Sequence, residues 1–109
     1  MEKGTKYDNS KRDWNELPFG AVGKIVDVLQ FGAKKYASLN WQFVQPYDER
    51  YFAACMRHLV AWKTGEKYDK ETKMNHLAHA GACILFMLWN EEIKKDFSIL
   101  NEEIKEVKE

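Results

Sequence analysis

Apolar residues recur at three- and four-residue spacing along this chain, and that spacing predicts helices. The first such stretch follows Pro18, which suits a helix start, and we expect its helix to end near Tyr36. Its apolar positions are Val22, Ile25, Val26 and Leu29. Gly32 lies inside this stretch and would cost a helix roughly 1 kcal/mol against Ala. Close approach of another backbone or of a ligand would explain it, as would an early helix end.

Two further helices are predicted on either side of a polar connection that contains Gly65. Asp48 is the expected N-cap of the second helix, and either Thr72 or Asp69 is the expected cap of the third, which should end near Lys95. The apolar stripe of the second helix comprises Phe52, Cys55, Leu59 and Trp62, and that of the third comprises Met74, Leu77, Gly81, Ile84 and Leu88.

A last helical pattern closes the chain, and no period-two strand pattern occurs. Its positions are Phe97, Leu100, Ile104 and Val107. The expected fold class is therefore all-α, with three main helices plus a C-terminal helix. Residues 1–16 are expected to form an extended polar arm, and residues 17–109 a single helical domain of ordinary size.

Composition narrows the classes of protein that fit. Hydrophobic residues make up 45% of the chain and charged residues 31%, which argues against overall disorder. Formal net charge is zero, whereas proteins that bind nucleic acid usually carry a basic excess. No apolar run approaches the length of a membrane span and no signal peptide is evident, so we expect no nucleic-acid or membrane partner and a cytoplasmic location. Cys55 and Cys83 are expected to be reduced packing residues.

Every histidine of the chain falls within residues 57–80, together with three spaced acidic residues. The set comprises His58, Glu66, Asp69, Glu71, His76 and His79. Two antiparallel helices joined by the polar connection would bring His58 towards the face that carries His76 and His79. Carboxylate oxygens suit Mg²⁺, and Mn²⁺ or Co²⁺ also accept imidazole, so the cluster predicts a site for one of these three cations. Its spacing is not that of a zinc motif.

Four motifs in a fixed order carry a resemblance to a known family. They are "KYDNSKRDW", "FGAKKYASLNW", "RHLVAWKTGEKYD" and "HLAHA". Over roughly residues 6–88 the chain resembles the phage dATP/dGTP diphosphohydrolase family, of MazZ-like type, which is similar in role to the all-α pyrophosphatases of MazG type. The resemblance implies cleavage of a purine deoxynucleoside triphosphate to the monophosphate and pyrophosphate, with a divalent metal ion, in the host cytoplasm.

The matched positions supply the expected site residues. Catalytic roles are assigned to His58, Glu66 and Asp69. The metal ligands are expected among Glu66, Asp69, His58, His76 and His79, although His76 could instead orient a carboxylate and Glu71 could be a helix N-terminal charge. Substrate contacts are expected from Lys6, Lys11, Arg12, Lys35, Tyr36, Asn40, Trp41 and Arg57. Of these, Lys35 and Arg57 suit phosphate oxygens, whereas Tyr36 and Trp41 could stack on a purine or belong to the core.

The chain also departs from the family pattern at three places. Ser10 stands where a glycine is usual, Thr72-Lys73 stands where Ser-Gly is usual, and Cys83 stands where an amide side chain is expected. The MazG-type Glu-x-x-Asp spacing fits Glu66 and Asp69, although the His76–His79 segment could hold that place instead. "EEIKE" at 102–106 has the spacing of the other MazG metal motif but follows in the wrong order.

Two other classes of protein compete with the enzyme. One is a nucleotide-binding module without catalytic activity, and the other is a helical phage interaction protein. A near-heptad stripe also predicts a homo-oligomer, a dimer or a tetramer, unless the last helix folds back on its own domain. That stripe comprises Phe86, Trp89, Ile93, Phe97, Leu100, Ile104 and Val107.

Overall fold

The computed structural model describes Gly4 and residues 10–94, and it confirms the all-helical prediction. The three main helices are α1, Phe19–Lys35, α2, Tyr47–Lys63, and α3, His76–Glu92. Short 3-10 turns at Trp14–Glu16 and Asn40–Phe43 precede α1 and α2. Among the described residues the β structure is one isolated bridge, between Tyr68 and Asn75. The predicted C-terminal helix lies outside the described residues.

The helix starts differ from the predicted caps in two cases. Pro46 precedes α2 directly, so Asp48 lies in the first turn, where a negative charge favours the helix macrodipole, and is not the N-cap. Asn75 caps α3, since its side-chain oxygen accepts a hydrogen bond of 2.8 Å from the Leu77 N–H. The expected caps Thr72 and Asp69 were wrong because both belong to the connection before α3.

The connection between α2 and α3 is held by its own hydrogen bonds. Asp69 Oδ1 accepts from the backbone N–H of Glu71 at 3.0 Å and of Thr72 at 2.8 Å. The Asp69 N–H donates to the Met74 carbonyl, and the Asp69 carbonyl accepts from the Lys73 N–H, both at 2.8 Å. A side chain on such a connection is positioned by the backbone around it, which places Asp69 beside the start of α3.

Helix α3 packs against both α2 and α1, and small side chains make these contacts. The buried apolar residues of the described chain are Cys55, Ala78, Ala80, Ala82 and Cys83. A Cβ added to Gly81 would lie 2.7 Å from Cδ1 of Ile25, so the glycine permits close approach of α1 to α3. No bulky side chain is fully buried among these residues.

Of the apolar stripe predicted for α3, Gly81 meets Ile25 of α1, but its leucine and isoleucine side chains are not buried. Leu77, Ile84 and Leu88 are each more than 40% exposed, whereas Ala80 and Cys83 are buried. The stripe predicted for α2 is confirmed in part, because Cys55 is buried and Leu59 packs against it, whereas Phe52 and Trp62 are exposed. Periodicity located the helices correctly, but the apolar positions that are buried on α3 are alanines and a cysteine.

Candidate functional site

His58 on α2 and His76 at the start of α3 face each other at the centre of the site. Their Nδ1 atoms lie 2.9 Å apart, as the antiparallel arrangement of the two helices predicted. His76 is 5% exposed, whereas His58 is partly exposed. Two imidazole nitrogens at this distance either share one proton in a hydrogen bond or both present lone pairs to a cation.

His79 lies one turn further along α3 and stacks on His58. The ring centroids are 4.5 Å apart and the planes differ by 10°. Its Nε2 lies 2.7 Å from the Thr72 hydroxyl oxygen, which also accepts a hydrogen bond of 3.2 Å from the Met74 N–H. The hydroxyl can accept a hydrogen bond from His79 Nε2 or donate one to it, and the tautomer of the ring decides which.

Asp69 completes a group of three possible ligands. One donor atom each of His58, Asp69 and His76 can be chosen so that all lie within 4.8 Å of one another. Burial on its own would raise the pKa of Asp69, but the amide and hydroxyl of Thr72, the nearby His79 and the Glu71 amide favour its charged form, and its pKa is lowered. The carboxylate is therefore ionised at neutral pH.

Glu66 contacts this group through His76. Its Oε2 lies 3.3 Å from His76 Nε2, although the alignment is not that of a hydrogen bond and the buried Nε2 has no other partner. A carboxylate at that position favours a proton on Nε2 of His76, which leaves Nδ1 as an acceptor. Carboxylates commonly orient metal-binding histidines in this way.

The two partly exposed histidines are kept neutral by their surroundings. Burial lowers the pKa of His58, and the neighbouring His79 and His76 lower it further. Burial also lowers the pKa of His79, against the opposing effect of Asp69. A histidine whose pKa falls below its ordinary 6.5 is neutral at pH 7, so both rings can accept a proton or a metal ion.

His58 and His79 line a cavity of about 1030 Å³ that is bounded by α1, the 36–44 loop, α2, the connection and α3. Asp69 also lines it, whereas Glu66 and His76 are not among the lining residues. The substrate residues predicted from the sequence that line the same cavity are Lys35, Tyr36, Asn40, Trp41 and Arg57. The structure thus brings residues from three of the four motifs to one cavity.

A salt bridge crosses from α1 to the connection at this cavity. Lys35 Nζ lies 2.7 Å from Glu71 Oε1, and both side chains are largely exposed. The hydrogen bond that Lys35 donates to Glu71 is the main reason that the pKa of Lys35 is raised. Lys35 is therefore charged at neutral pH, and a phosphate that enters the cavity would compete with Glu71 for it.

Trp41 belongs to an aromatic group that joins the 36–44 loop to α3. Its ring stacks on Phe86 with centroids 4.9 Å apart and meets Trp89 edge-on at 5.0 Å. The Tyr51 hydroxyl donates a hydrogen bond of 2.9 Å to the Trp41 carbonyl. Phe86 and Trp89 therefore make ring contacts within their own chain, and their predicted part in a seam between copies stays a prediction. Stacking of Trp41 on a purine stays a prediction.

Other expected residues lie elsewhere. Lys6 falls outside the described residues, and neither Lys11 nor the exposed Arg12 is among those that line the cavity. Sequence reasoning missed Arg50 and Phe86, which do line it. No local signal marks Arg50, since an arginine in the second turn of a helix is ordinary. Thr72, noted only as a departure from the family pattern, proves to be a partner of His79.

The fold and the site define an all-helical protein with a histidine–carboxylate group beside a large cavity. Comparison with known proteins is more specific. The chain belongs to the family described as "dATP/dGTP diphosphohydrolase, N-terminal", whose model matches residues 1–99. A dATP/dGTP diphosphohydrolase of Salmonella phage PMBT28 is 30% identical over 86 residues. The match covers 79% of this chain and 29% of that relative, so the chain spans under a third of the relative's length. No solved structure matches. None of the described helices is long and apolar enough to cross a membrane.

Proposed function

We propose that this protein is a metal-dependent diphosphohydrolase that cleaves dGTP or dATP to the monophosphate and pyrophosphate. The observation that carries the proposal is the group of His58, Asp69 and His76, with donor atoms within 4.8 Å, at the wall of a cavity that also holds Arg57 and Lys35. Family membership and the activity named for the phage relative support the choice of substrate.

The residues present fit a divalent cation. The buried His76 Nε2 faces a carboxylate, so the opposite nitrogen is an acceptor that points at His58. A set of two imidazoles and one carboxylate suits Mn²⁺ or Co²⁺ better than Mg²⁺, which prefers oxygen ligands. We propose His58, Asp69 and His76 as the ligands, with Glu66 orienting His76. His79, whose Nε2 is engaged by Thr72, is then a neighbour of the site.

The reaction breaks the bond between the α-phosphorus and the oxygen that bridges to the β-phosphate. A water molecule attacks the α-phosphorus, pyrophosphate leaves, and the water gives up one proton. A bound cation polarises a phosphoryl oxygen and stabilises the charge that develops. Arg57 and Lys35 are the cavity-lining cations that can hold phosphate oxygens. His79, neutral at pH 7 because its pKa is lowered, is our candidate to accept the proton.

The remaining cavity accommodates the nucleoside. Asn40 and Tyr36 line the cavity, and an amide side chain can both donate to and accept from a base edge. Gly32 also lines the cavity, and nothing lies within 4 Å of a Cβ built on it. The glycine that looked costly inside α1 thus leaves space for a ligand, which is one of the explanations expected from the sequence.

The test is turnover of a panel of deoxynucleoside triphosphates with Mn²⁺, Co²⁺ or Mg²⁺, with the products separated by chromatography. We expect monophosphate and pyrophosphate in equal amounts from dGTP or dATP, loss of activity with a chelator, and recovery with Mn²⁺. Orthophosphate as the product, or unchanged rates in excess chelator, would contradict the proposal.

A nucleotide-binding module without turnover is the second candidate. It is favoured by one observation, that the match covers only 29% of the phage relative, so catalysis there could depend on residues this chain does not share. Such a module would show thermal stabilisation by dGTP or dATP without product. A helical interaction protein, the third class, would show neither stabilisation nor product.

A homo-oligomer acting in the host cytoplasm is proposed alongside this function. The relative is a phage protein, and zero net charge gives copies of the chain little mutual repulsion. The C-terminal part of the predicted heptad stripe lies outside the described residues, so its role in assembly stays a prediction.

A further inference from the structure

Arg50 is a charged residue of the cavity wall that the proposed reaction does not use. It lines the cavity together with Arg57 of the same helix. The two arginines are seven positions apart, so they lie on the same side of α2, about 10 Å apart along its axis. Ala53 and Ala54, which lie between them, also line the cavity, and their short side chains leave space between the two guanidinium groups.

The two arginines stand at different distances from the reacting groups. Arg57 is next to His58 in sequence, and Lys35 reaches the connection through its 2.7 Å salt bridge with Glu71. Arg50 is eight positions before His58 and about 12 Å from it along the helix axis. If the α-phosphate lies at His58, Arg57 and Lys35 are the cations beside the phosphates. Arg50 then meets a part of the substrate that is remote from the reacting phosphorus.

The surroundings of Arg50 are aromatic. The ring of Tyr51, the next residue, lies 4.9 Å from that of Phe86, and the Tyr51 hydroxyl donates a hydrogen bond of 2.9 Å to the Trp41 carbonyl. All three aromatic residues line the cavity. Aromatic side chains offer stacking surfaces to bases, so the part of the substrate that fits beside Arg50 is the purine.

The guanidinium of Arg50 keeps most of its donors for a ligand. Its Nη1 donates a long hydrogen bond of 3.4 Å to the Gln45 carbonyl, which directly follows the 36–44 loop, and the side chain is exposed. Within the described part of the chain, no carboxylate forms a salt bridge with it. A guanidinium carries five N–H donors, so several remain for a base.

We propose that Arg50 reads the purine and makes the site prefer guanine to adenine, which rests on the proposed function. Guanine presents two acceptors, O6 and N7, on one edge, and a guanidinium donates to both at once. Adenine presents N7 beside its N6 amino group, which is a donor. Arginine has no acceptor, so adenine leaves one hydrogen bond unmade and brings two donors together. The better substrate is therefore dGTP, and dATP is the weaker one.

The size of the preference follows from the contact. One bidentate pair of this kind discriminates between bases by about 5- to 140-fold in affinity. Because Arg50 is exposed and water competes for its donors, we expect the lower part of that range, about 5- to 20-fold.

The first test measures affinity without turnover. The monophosphates dGMP and dAMP have no phosphoanhydride bond to cleave, so calorimetry with the full chain and Mn²⁺ reports binding alone. We expect dGMP to bind about 5- to 20-fold more tightly than dAMP, and 7-deaza-dGMP, which lacks N7, to lose most of that advantage. Equal affinities for dGMP and dAMP, or measurable binding of neither, would overturn the proposal.

The second test changes the reader of the base. Glutamine pairs with N6 and N7 of adenine, so Arg50→Gln should weaken dGMP binding and reverse the preference in favour of dAMP. Arg50→Met should bring the two affinities together and make the loss of N7 harmless. Arg50 is exposed, so both variants should fold, which circular dichroism checks. A dGMP preference that survives in Arg50→Gln would overturn the proposal.

Two control variants separate base reading from charge. Lys63→Gln removes a positive charge from the last residue of α2, which does not line the cavity, and should leave both affinities unchanged. Arg57→Gln should weaken dGMP and dAMP to the same extent, because it removes a phosphate contact. The same uniform loss in Arg50→Gln would make Arg50 a phosphate-binding residue and overturn its role at the base.

Turnover of dGTP and dATP is scored separately. A protein that selects dGMP through Arg50 but cleaves neither triphosphate would leave the base preference standing and refute the proposed enzyme. A protein that cleaves dGTP and dATP at equal rates, with the ratio unchanged in Arg50→Gln, would keep the enzyme and refute the role of Arg50.

Discussion

Lys73 adopts a strained backbone conformation, and replacing it with glycine should relieve that strain and stabilise the protein. Its φ is +64°, in the left-handed region that costs a residue with a side chain about 1–2 kcal/mol. Glycine has no such penalty, but it lowers the stability of the folded state by about 0.5–1 kcal/mol because the unfolded chain is more flexible. Lys73→Gly should therefore raise the free energy of unfolding by about 0.5–1 kcal/mol.

The backbone hydrogen bond at this position is kept by the substitution. The Lys73 N–H donates to the Asp69 carbonyl at 2.8 Å, and a glycine donates equally well. The side chain is exposed, so little packing is lost. The sequence had already marked this position as a departure, because the family pattern has Ser-Gly where this chain has Thr72-Lys73.

Urea unfolding at one fixed protein concentration measures the effect. The matched control is Lys70→Gly in the same connection, where the backbone φ is not positive; it should lower the free energy of unfolding by about 0.5–1 kcal/mol. Lys73→Ala, which keeps the backbone penalty, should have almost no effect. If Lys73→Gly destabilises the protein as Lys70→Gly does, the strain argument is refuted.

Three further predictions concern the site and the core. Asp69→Asn should weaken Mn²⁺ binding and lower turnover by at least about 100-fold. Glu66→Gln, which changes only a partner of His76, should lower both by about 10–100-fold. Calorimetry with Mn²⁺ measures the affinity separately from the rate, and a wild-type affinity in both variants would remove both residues from the site. Thr72→Val should reduce kcat and disturb the His79 imidazole NMR signals, because the hydroxyl 2.7 Å from Nε2 is lost. Thr72→Ser keeps a hydroxyl and should retain both. Identical behaviour of the two variants would contradict a role for the hydroxyl of Thr72. Cys83 should resist alkylation at pH 8 in the folded protein, because burial raises the pKa of its thiol to about 11 and the thiolate forms only as the pH approaches that value. Denaturation should make both cysteines reactive. Rapid labelling of Cys83 in the native protein would contradict its burial.

The sequence determined the features that depend on neighbours along the chain. Three- and four-residue apolar spacing located α1, α2 and α3, because a helix face is set by local geometry. The spacing of His58, Asp69, His76 and His79 predicted a shared site, because a short connection between antiparallel helices leaves few other arrangements. The motifs also identified the family, which the match over residues 1–99 confirms.

Local cap chemistry was less decisive. Asp48, Asp69 and Thr72 are all good N-cap residues, yet Asn75 is the N-cap of α3 and Pro46 stands at that position of α2. The choice between candidate caps depends on hydrogen bonds within the connection, where Asp69 already accepts two backbone N–H groups. A sequence lists the candidates for a cap, but the folded connection selects among them.

Tertiary structure alone decided which faces pack and which atoms meet. Leu77, Ile84 and Leu88 had the stronger apolar pattern, but Ala80 and Cys83 form the contact with α2, because small side chains let the helices approach closely. The same close approach sets the 2.9 Å separation of the His58 and His76 Nδ1 atoms. These two residues are 18 positions apart in sequence. Their distance depends on how α2 and α3 lie against each other, and no local pattern in the chain encodes it.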